Sequence, residues 1–220
     1  MEGIGNSELS QFLRESLFSA VLGDILDRQG YYHRFLPQPI KPLRESYRVA
    51  GRAFPVRIED VAGPQSRPFG RLTEALDAIG PGEVYLGTGG SMNCAAWGEI
   101  LTATARTRGG TGAVIDGFHR DTQRVLEQNW PVFSRGSFAQ DAGVRSSVID
   151  FRCTVEIDGV LVEPGDLIFG DLDGVVVIPR GIESDVIQLA LEKVAAERKV
   201  RREIEGGASS TSVFDRYGVL

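Results

Sequence analysis

The chain of 220 residues is 42% apolar and 25% charged, the balance of a soluble globular protein long enough for one large domain or two small ones. Its net charge of −6 argues against a nucleic-acid partner held by bulk electrostatics, and no apolar run has membrane-spanning length. Cys94 and Cys153 are too distant for a thiolate zinc motif, and two histidines, His33 and His119, leave any metal to oxygen ligands, which suits magnesium or manganese. The start, MEGIGNSELSQ, lacks the basic and apolar regions of a signal peptide, so the expectation is a cytoplasmic protein with no membrane partner.

Ser7 or Ser10 can cap a first short helix with Leu9, Phe12, Leu13 and Leu17 on one face. Ser19 can cap a second, AVLGDILDRQ, stopped by Gly30, with Val21, Ile25 and Leu26 inward and Asp24 and Asp27 solvated. Prolines make YYHRFLPQPIKPL an irregular crossing. YRVAGRAFPVRI is rich in β formers, with Gly51 and Pro55 marking a bend or bulge. Residues 68–79 predict a helix with Leu72, Ala75, Leu76 and Ile79 inward, ended by Gly80-Pro81-Gly82. The strand EVYL leads into the turn GTGGS, and a helix over about residues 93–107 follows, with Ala96, Ile100, Thr104 and Thr107 at helical spacing. AVID reads as a buried strand, GFHRD as a loop, TQRVLEQN as a short helix and PVF as a strand. Residues 151–179 alternate strand-like runs with the hairpin dipeptides Asp158-Gly159 and Asp173-Gly174.

A long helix over about 184–205 carries Ile187, Ala190, Leu191 and Val194 on one stripe, then turns into ERKVRREIE, which predicts a half that is solvated or packs on a partner. The tail holds Val213, Phe214, Tyr217, Val219 and Leu220 and should dock. An α/β half runs to about residue 130 and a hairpin-rich half covers 131–180. With no composition break between them, the expectation is a single α/β domain over residues 1–220 with a mixed central sheet.

The chemistry concentrates in residues 87–121. In GTGGS, Gly89 and Gly90 let backbone N–H groups approach an anion, although a tight turn needing positive φ explains the same glycines. Met92 stands where a dinucleotide fingerprint needs its third glycine, and no Lys-Ser/Thr follows, so neither nucleotide loop is present. Arg120-Asp121 follows the strand AVID at the edge where α/β sheets bind ligands. There Arg120 can bind a carboxylate and stabilise an enolate, and Asp121 can hold a hard cation. The plainer readings are a surface charge for Arg120, a helix N-cap for Asp121, an exposed helical residue for Glu99 and a turn cap for Asp116. His119 is a candidate acid–base group or an inert loop histidine, Cys94 and Trp97 read as packing groups, and Asp141, Asp150, Asp171 and Asp173 as turn residues.

These residues also form a recognisable pattern. WGE, a helix and GAVIDGFHRD resemble the family that joins the regulator of ribonuclease E activity, RraA, to the 4-hydroxy-4-methyl-2-oxoglutarate aldolases, in which a glycine precedes an Arg-Asp pair as Gly98 precedes Arg120-Asp121 here. FSAVLGDILDRQG, RVAGRAFPV and GASSTSVFDRYGVL are similar to the family's opening helix, first strand and closing tail. The resemblance implies an α/β swivelling β/β/α domain with a long C-terminal helix, assembled as a homotrimer or hexamer, and in aldolase members a class II pyruvate aldolase using Mg²⁺ or Mn²⁺. It implies Asp121 as the metal ligand, Arg120 at the enolate, and Glu99 beside a metal-bound water. It further implies a pyruvyl carboxylate among the amides near Gly98, Ile100, Gly89 and Gly90, and a glutamate from a neighbour's C-terminal helix, Glu197 or else Glu203.

The reaction expected is cleavage of a 4-hydroxy-2-oxo di- or tricarboxylic acid to pyruvate and a second oxo acid, with oxaloacetate decarboxylation as a further use. The absence of lysine from residues 87–121 argues against a Schiff-base mechanism. The rival expectation is a non-catalytic regulatory protein. Methyl transfer to a menaquinone precursor is disfavoured for want of a nucleotide loop.

Overall fold

A computed structural model describes residues 6–90 and 93–218. In chain order the elements are α1 (Asn6–Ser16), α2 (Ser19–Arg28), β1 (Lys41–Pro42), β2 (Val49–Asp60), α3 (Leu72–Ala78), β3 (Glu83–Thr88), β4 (Ala95–Trp97), α4 (Glu99–Thr107), β5 (Gly112–Ile115) and β6 (Phe118–His119). There follow α5 (Thr122–Glu127), β7 (Val132–Ser134), β8 (Ser146–Phe151), β9 (Val155–Ile157), β10 (Val160–Val162), β11 (Leu167–Gly170), β12 (Val175–Ile178), α6 (Glu183–Glu205) and α7 (Ser210–Tyr217).

Eight strands form a mixed sheet in the order β1-β7-β5-β3-β2-β11-β12, with β8 also paired to β2, and the sheet curls toward a barrel. Strands β2, β3, β5 and β7 run parallel, and the β1, β11, β12 and β8 pairings are antiparallel. The two halves drawn from the sequence therefore share one sheet, because the late strands β8 and β11 both add to the early strand β2. Pro55 marks where β2 changes partner. Ala53 N–H donates to the Asp166 carbonyl beside β11, whereas Pro55 lends its own carbonyl to Arg152 N–H beside β8. By strand alternation the missing Pro55 N–H would face this seam, so the proline breaks no ladder.

Three apolar clusters lie around the sheet. One sits between the sheet and the β9–β10 hairpin, whose Asp158-Gly159 turn has φ of 49° and 79°. The second joins α1, α2 and α6 to β11 and β12, and the third packs α3, α4 and α5 on β3, β5 and β7. Val21, Ile25, Leu26, Ile187, Ala190 and Val194 are buried as the periodicity requires. At about 1.5–3 kcal/mol per buried large aliphatic side chain, such faces hold the helix layers on the sheet.

Several local expectations need correction. Ser7 and Ser10 lie inside α1, and Phe12 is exposed, because the face that reaches the core carries Leu13 and Leu17 with Leu9 packed beside them. Ser19 is the first residue of α2, not its cap. Its N–H and hydroxyl both donate to the buried Asp171, at 2.7 and 2.6 Å, so a carboxylate distant in sequence caps the helix. Asp24 is not merely solvated, since Lys193 of α6 bonds both Asp24 and Glu197 at 2.7 Å. Burial pulls the Lys193 ammonium pKa down, but its bonds to the two carboxylates outweigh that and raise it. The charged half of α6 still buries Val200. In the tail Val213 is buried, Phe214 and Tyr217 are exposed, and Val219 and Leu220 lie outside the described residues. Among the described residues no helix is long and apolar enough to cross a membrane.

Candidate active site

The expected helix over 93–107 begins only at Glu99. Residues Ala95–Trp97 instead form β4, which pairs in parallel with β6, placing Trp97 opposite His119. The predicted loop GFHRD thus contains a strand. Trp97 belongs to a buried aromatic stack, 4.7 Å from Tyr85 and 6.2 Å from Trp130 between ring centroids, and its indole N–H donates to Thr102 Oγ1. The inward face of α4 is Thr102 and Ala105, whereas Ile100 is 75% exposed, so the apolar spacing assigned to this helix points the other way.

Each of the two short strands runs straight into a helix. After β4 the chain passes through Gly98 into α4, and after β6 it passes through Arg120 and Asp121 into α5. Arg120 N–H donates to the Trp97 carbonyl at 2.9 Å, which locks the two junctions side by side. Asp121 is in the left-handed region, φ 56° and ψ 35°, and makes no side-chain cap for its own helix. Its Oδ2 instead accepts from the Glu99 N–H of α4 at 3.3 Å. Gly98 makes this approach possible: a Cβ there would lie 2.8 Å from Asp121 Oδ2 and 3.4 Å from Arg120 Cγ.

Arg120 Nη1 donates to Asp141 Oδ1 at 2.8 Å, and its Nε lies 3.8 Å from Asp121 Oδ2. Asp141 Oδ2 in turn accepts from Gly143 N–H, so the loop after β7 positions the guanidinium. Glu99 stands at the rim, 3.6 Å from Arg124, with its carbonyl held by Gln128 Nε2. The first intrahelical bond of α4 is Thr102 N–H to the Gly98 carbonyl, which leaves the Ile100 and Leu101 N–H groups of the first turn without an intrahelical acceptor. A cavity of about 440 Å³ opens here, bounded by Gly98, Glu99, Ile100, Arg120, Asp121 and Asp141 on its polar side.

The other expected residues lie elsewhere. Gly89 and Gly90, at φ 104° and 80°, border a separate groove between the end of β2 and β9, and a Cβ on Gly89 would stand 2.1 Å from the Ile58 carbonyl oxygen. Their glycine character follows from close approach to β2, and the element after their turn is β4, so no helix dipole stands behind them. Glu197 lines a groove between α1 and α6, paired with Lys193, and Glu203 binds Arg216 and the Tyr217 hydroxyl. Within one chain neither glutamate belongs to the cavity beside Asp121.

His119 is buried between two hydroxyls, Nδ1 at 2.7 Å from Ser134 Oγ and Nε2 at 2.9 Å from Thr122 Oγ1, and burial lowers its pKa. It braces β6. Asp116 accepts from Thr88 Oγ1 and from Arg135 instead of capping its turn. Cys94 is buried against Ser146. Ser91 and Met92 lie outside the described residues. Asp141 was not legible as a site residue, since nothing near it in the chain signals the fold that brings it to Arg120.

Among the described residues no cluster of three or more His, Cys, Asp or Glu side chains is arranged to hold a metal. A magnesium site that uses one carboxylate and keeps several waters needs no such cluster. Asp121 fits the role. Its Oδ1 accepts no hydrogen bond among the described residues, and the bare Cα of Gly98 leaves space beside its carboxylate.

A curled mixed sheet flanked by helices, with a cavity at two paired strand-to-helix junctions, defines an α/β protein of the swivelling β/β/α kind. The chain belongs to the Aldolase/RraA family, whose RraA-like model matches residues 19–177. It is 34% identical over 180 residues to a Halalkalibacterium halodurans protein whose name carries a provisional assignment as a 4-hydroxy-4-methyl-2-oxoglutarate aldolase, covering 81% of this chain and 82% of that one. Protein DlpA of Legionella pneumophila is 28% identical over 200 residues, 90% of this chain but 32% of DlpA, so the chain spans about a third of that protein's length. Among solved structures, RraAS2 of Streptomyces coelicolor, described as an unusual member of the RNase ES inhibitor RraA protein family, superposes with a TM-score of 0.78 at 27% identity, covering 89% of this chain and 98% of that one.

Proposed function

We propose that the protein is a divalent-metal-dependent lyase, a class II pyruvate aldolase that cleaves a 4-hydroxy-2-oxo acid to pyruvate and a second carbonyl compound, with decarboxylation of oxaloacetate open to the same groups. The observation that carries this reading is the convergence of Arg120, Asp121 and the first turn of α4 around Gly98. The family membership and the aldolase name of the H. halodurans relative support it.

Asp121 would hold Mg²⁺ or Mn²⁺, which when bound supplies Lewis acidity to the 2-oxo group. The free N–H groups of Ile100 and Leu101 would take the pyruvyl carboxylate. Cleavage breaks the C3–C4 bond, its electron pair passes to C3 and the C2 oxygen, and the C4 hydroxyl proton leaves to a base. Arg120, aimed by Asp141, would bind the C2 oxygen as its charge grows. Glu99 at the rim would accept the hydroxyl proton and return one to C3 of the pyruvate enolate. Glu197 of a neighbouring copy in a homotrimer or hexamer would complete the acid–base set. Pyruvate release should depend on Mg²⁺ or Mn²⁺, vanish in EDTA, and fall on the order of 10²–10³-fold in Arg120→Ala. Equal rates with EDTA, or full metal-dependent activity in Asp121→Ala, sink the proposal.

The likeness to RraAS2 favours a second reading, a non-catalytic protein whose Arg120–Asp141 surface binds a protein partner. Tight capture of a ribonuclease with no turnover of any oxo acid would select it.

A further inference from the structure

The four carboxylates that line the cavity are not alike. Asp77 takes a hydrogen bond from Arg108 at 2.5 Å, Asp141 takes one from Arg120 at 2.8 Å, and Glu99 lies 3.6 Å from Arg124. Asp121 has the Glu99 N–H at 3.3 Å and, at 3.8 Å, the Nε of Arg120, whose closer bond goes to Asp141. One guanidinium is thus divided unequally between two aspartates, and the loop after β7 decides the division. Phe138 N–H donates to the His119 carbonyl of β6, and Ala95 N–H of β4 donates to the Gln140 carbonyl, each at 2.8 Å. Arg145 Nη1 donates to the Asp141 carbonyl at 3.1 Å, and Gly143 N–H holds Asp141 Oδ2 at 2.8 Å. Asp141 is therefore tied to the same two strands that run into Gly98 and Arg120, and every one of these contacts lies within one chain.

We infer that Asp141 is a positioning residue that holds the Arg120 guanidinium off Asp121 and so keeps the Asp121 carboxylate available to a divalent cation. The inference rests on the reading of Asp121 as the cation's ligand, and it gives Asp141 a task beyond aiming Arg120 at a substrate oxygen. A carboxylate that is to bind a cation loses affinity for it when a guanidinium pairs with that carboxylate first. Arg120 is adjacent to Asp121 in sequence and its Nε already stands 3.8 Å away, so a small rotation suffices to pair the two once the bond to Asp141 is gone. Asp141 thus acts on Asp121 through Arg120. Removing Asp141 and then Arg120 should therefore not cost the cation twice.

Calorimetric titration of Mg²⁺ into the full-length protein in its native assembly, with no oxo acid present, tests this apart from turnover. Asp141→Ala should weaken Mg²⁺ binding roughly fivefold, the scale of a half-exposed ion pair. The deciding measurement is the cycle with Arg120→Ala. In that background Asp141→Ala should change Mg²⁺ affinity by no more than about twofold, because no guanidinium remains to be held. A loss as large or larger in the Arg120→Ala background means that Asp141 acts through its own charge, and it overturns the inference. Unchanged affinity in Asp141→Ala overturns it too, as does a wild-type protein that takes up no Mg²⁺. Where a lowered melting temperature shows that Asp141→Ala disturbs the loop, Asp141→Asn, which keeps an acceptor for Gly143 N–H, carries the same cycle. Pyruvate release from a 4-hydroxy-2-oxo acid by the wild type separates the two proposals. A coupled loss of Mg²⁺ affinity without turnover removes the aldolase and leaves the role of Asp141 standing. Mg²⁺-dependent turnover with losses that simply add removes the role of Asp141 and leaves the aldolase.

Discussion

Replacing Gly98 with alanine isolates the contact on which the site is built. Its φ of −170° and ψ of −167° are open to any residue, so the backbone bears no strain from the change. The new methyl would meet Asp121 Oδ2 at 2.8 Å, closer than an ordinary contact, and the carboxylate must retreat by a fraction of an ångström. That loosens the 3.3 Å bond from Glu99 N–H, worth about 0.5–1.5 kcal/mol at most. The loss is largely offset by the 0.4–1 kcal/mol or so that Gly→Ala gains from a stiffer unfolded chain. Melting should therefore shift by less than about 4 °C in a domain of this size. If Asp121 holds the metal as proposed, its displacement is costlier to function: pyruvate release should fall roughly 10²-fold, and calorimetry should show weakened Mg²⁺ binding. Gly89→Ala is the contrast. There φ is 104° and the obstacle is the Ile58 carbonyl at 2.1 Å, part of the β2 backbone, so stability should drop by about 2–4 kcal/mol. Full activity and Mg²⁺ affinity in Gly98→Ala would refute the reasoning about Asp121.

Two further outcomes follow. Burial holds the His119 pKa below its ordinary 6.5, so below that pH the unfolded chain binds a proton that the folded chain refuses, and stability falls as pH drops. His119→Gln should flatten the decline of urea midpoints between about pH 7 and 5; unchanged slopes would exclude His119 as the cause. If Glu197 serves a neighbour's site, Asp121→Ala and Glu197→Ala proteins, each inactive, should recover roughly a quarter of wild-type activity when refolded together, the random-assortment value for a shared site. No recovery would confine Glu197 to its ion pair with Lys193.

Long amphipathic segments could be read from the chain because burial sets their period: α2 and the first half of α6 show the inward residues expected of them. The glycine turn of the β9–β10 hairpin and the buried strand β5 were legible for the same local reasons, whereas the short strand β6 that leads into Arg120-Asp121 read as a loop. The start of α4 was not. Ala95–Trp97 has the composition of a helix and becomes β4 because β6, distant in sequence, offers it a parallel partner. The role of Asp171 as the cap of α2 spans 152 residues and leaves no local trace. The pairing of Asp141 with Arg120 is hidden likewise, because an aspartate two residues before a glycine reads as an ordinary turn.

The left-handed backbone of Asp121 narrows what mutation can explore at this position. Apart from glycine, aspartate and asparagine are among the few residues that adopt this conformation readily. Of these, only aspartate also carries a charge. Asp121→Asn would keep the turn and lose the charge, whereas Asp121→Glu would keep the charge and strain the turn while lengthening the reach toward Gly98. If Asp121 holds a metal as proposed, a lineage that abandons it has an easy exit through asparagine, and one that retains it has almost no neutral neighbour to drift through.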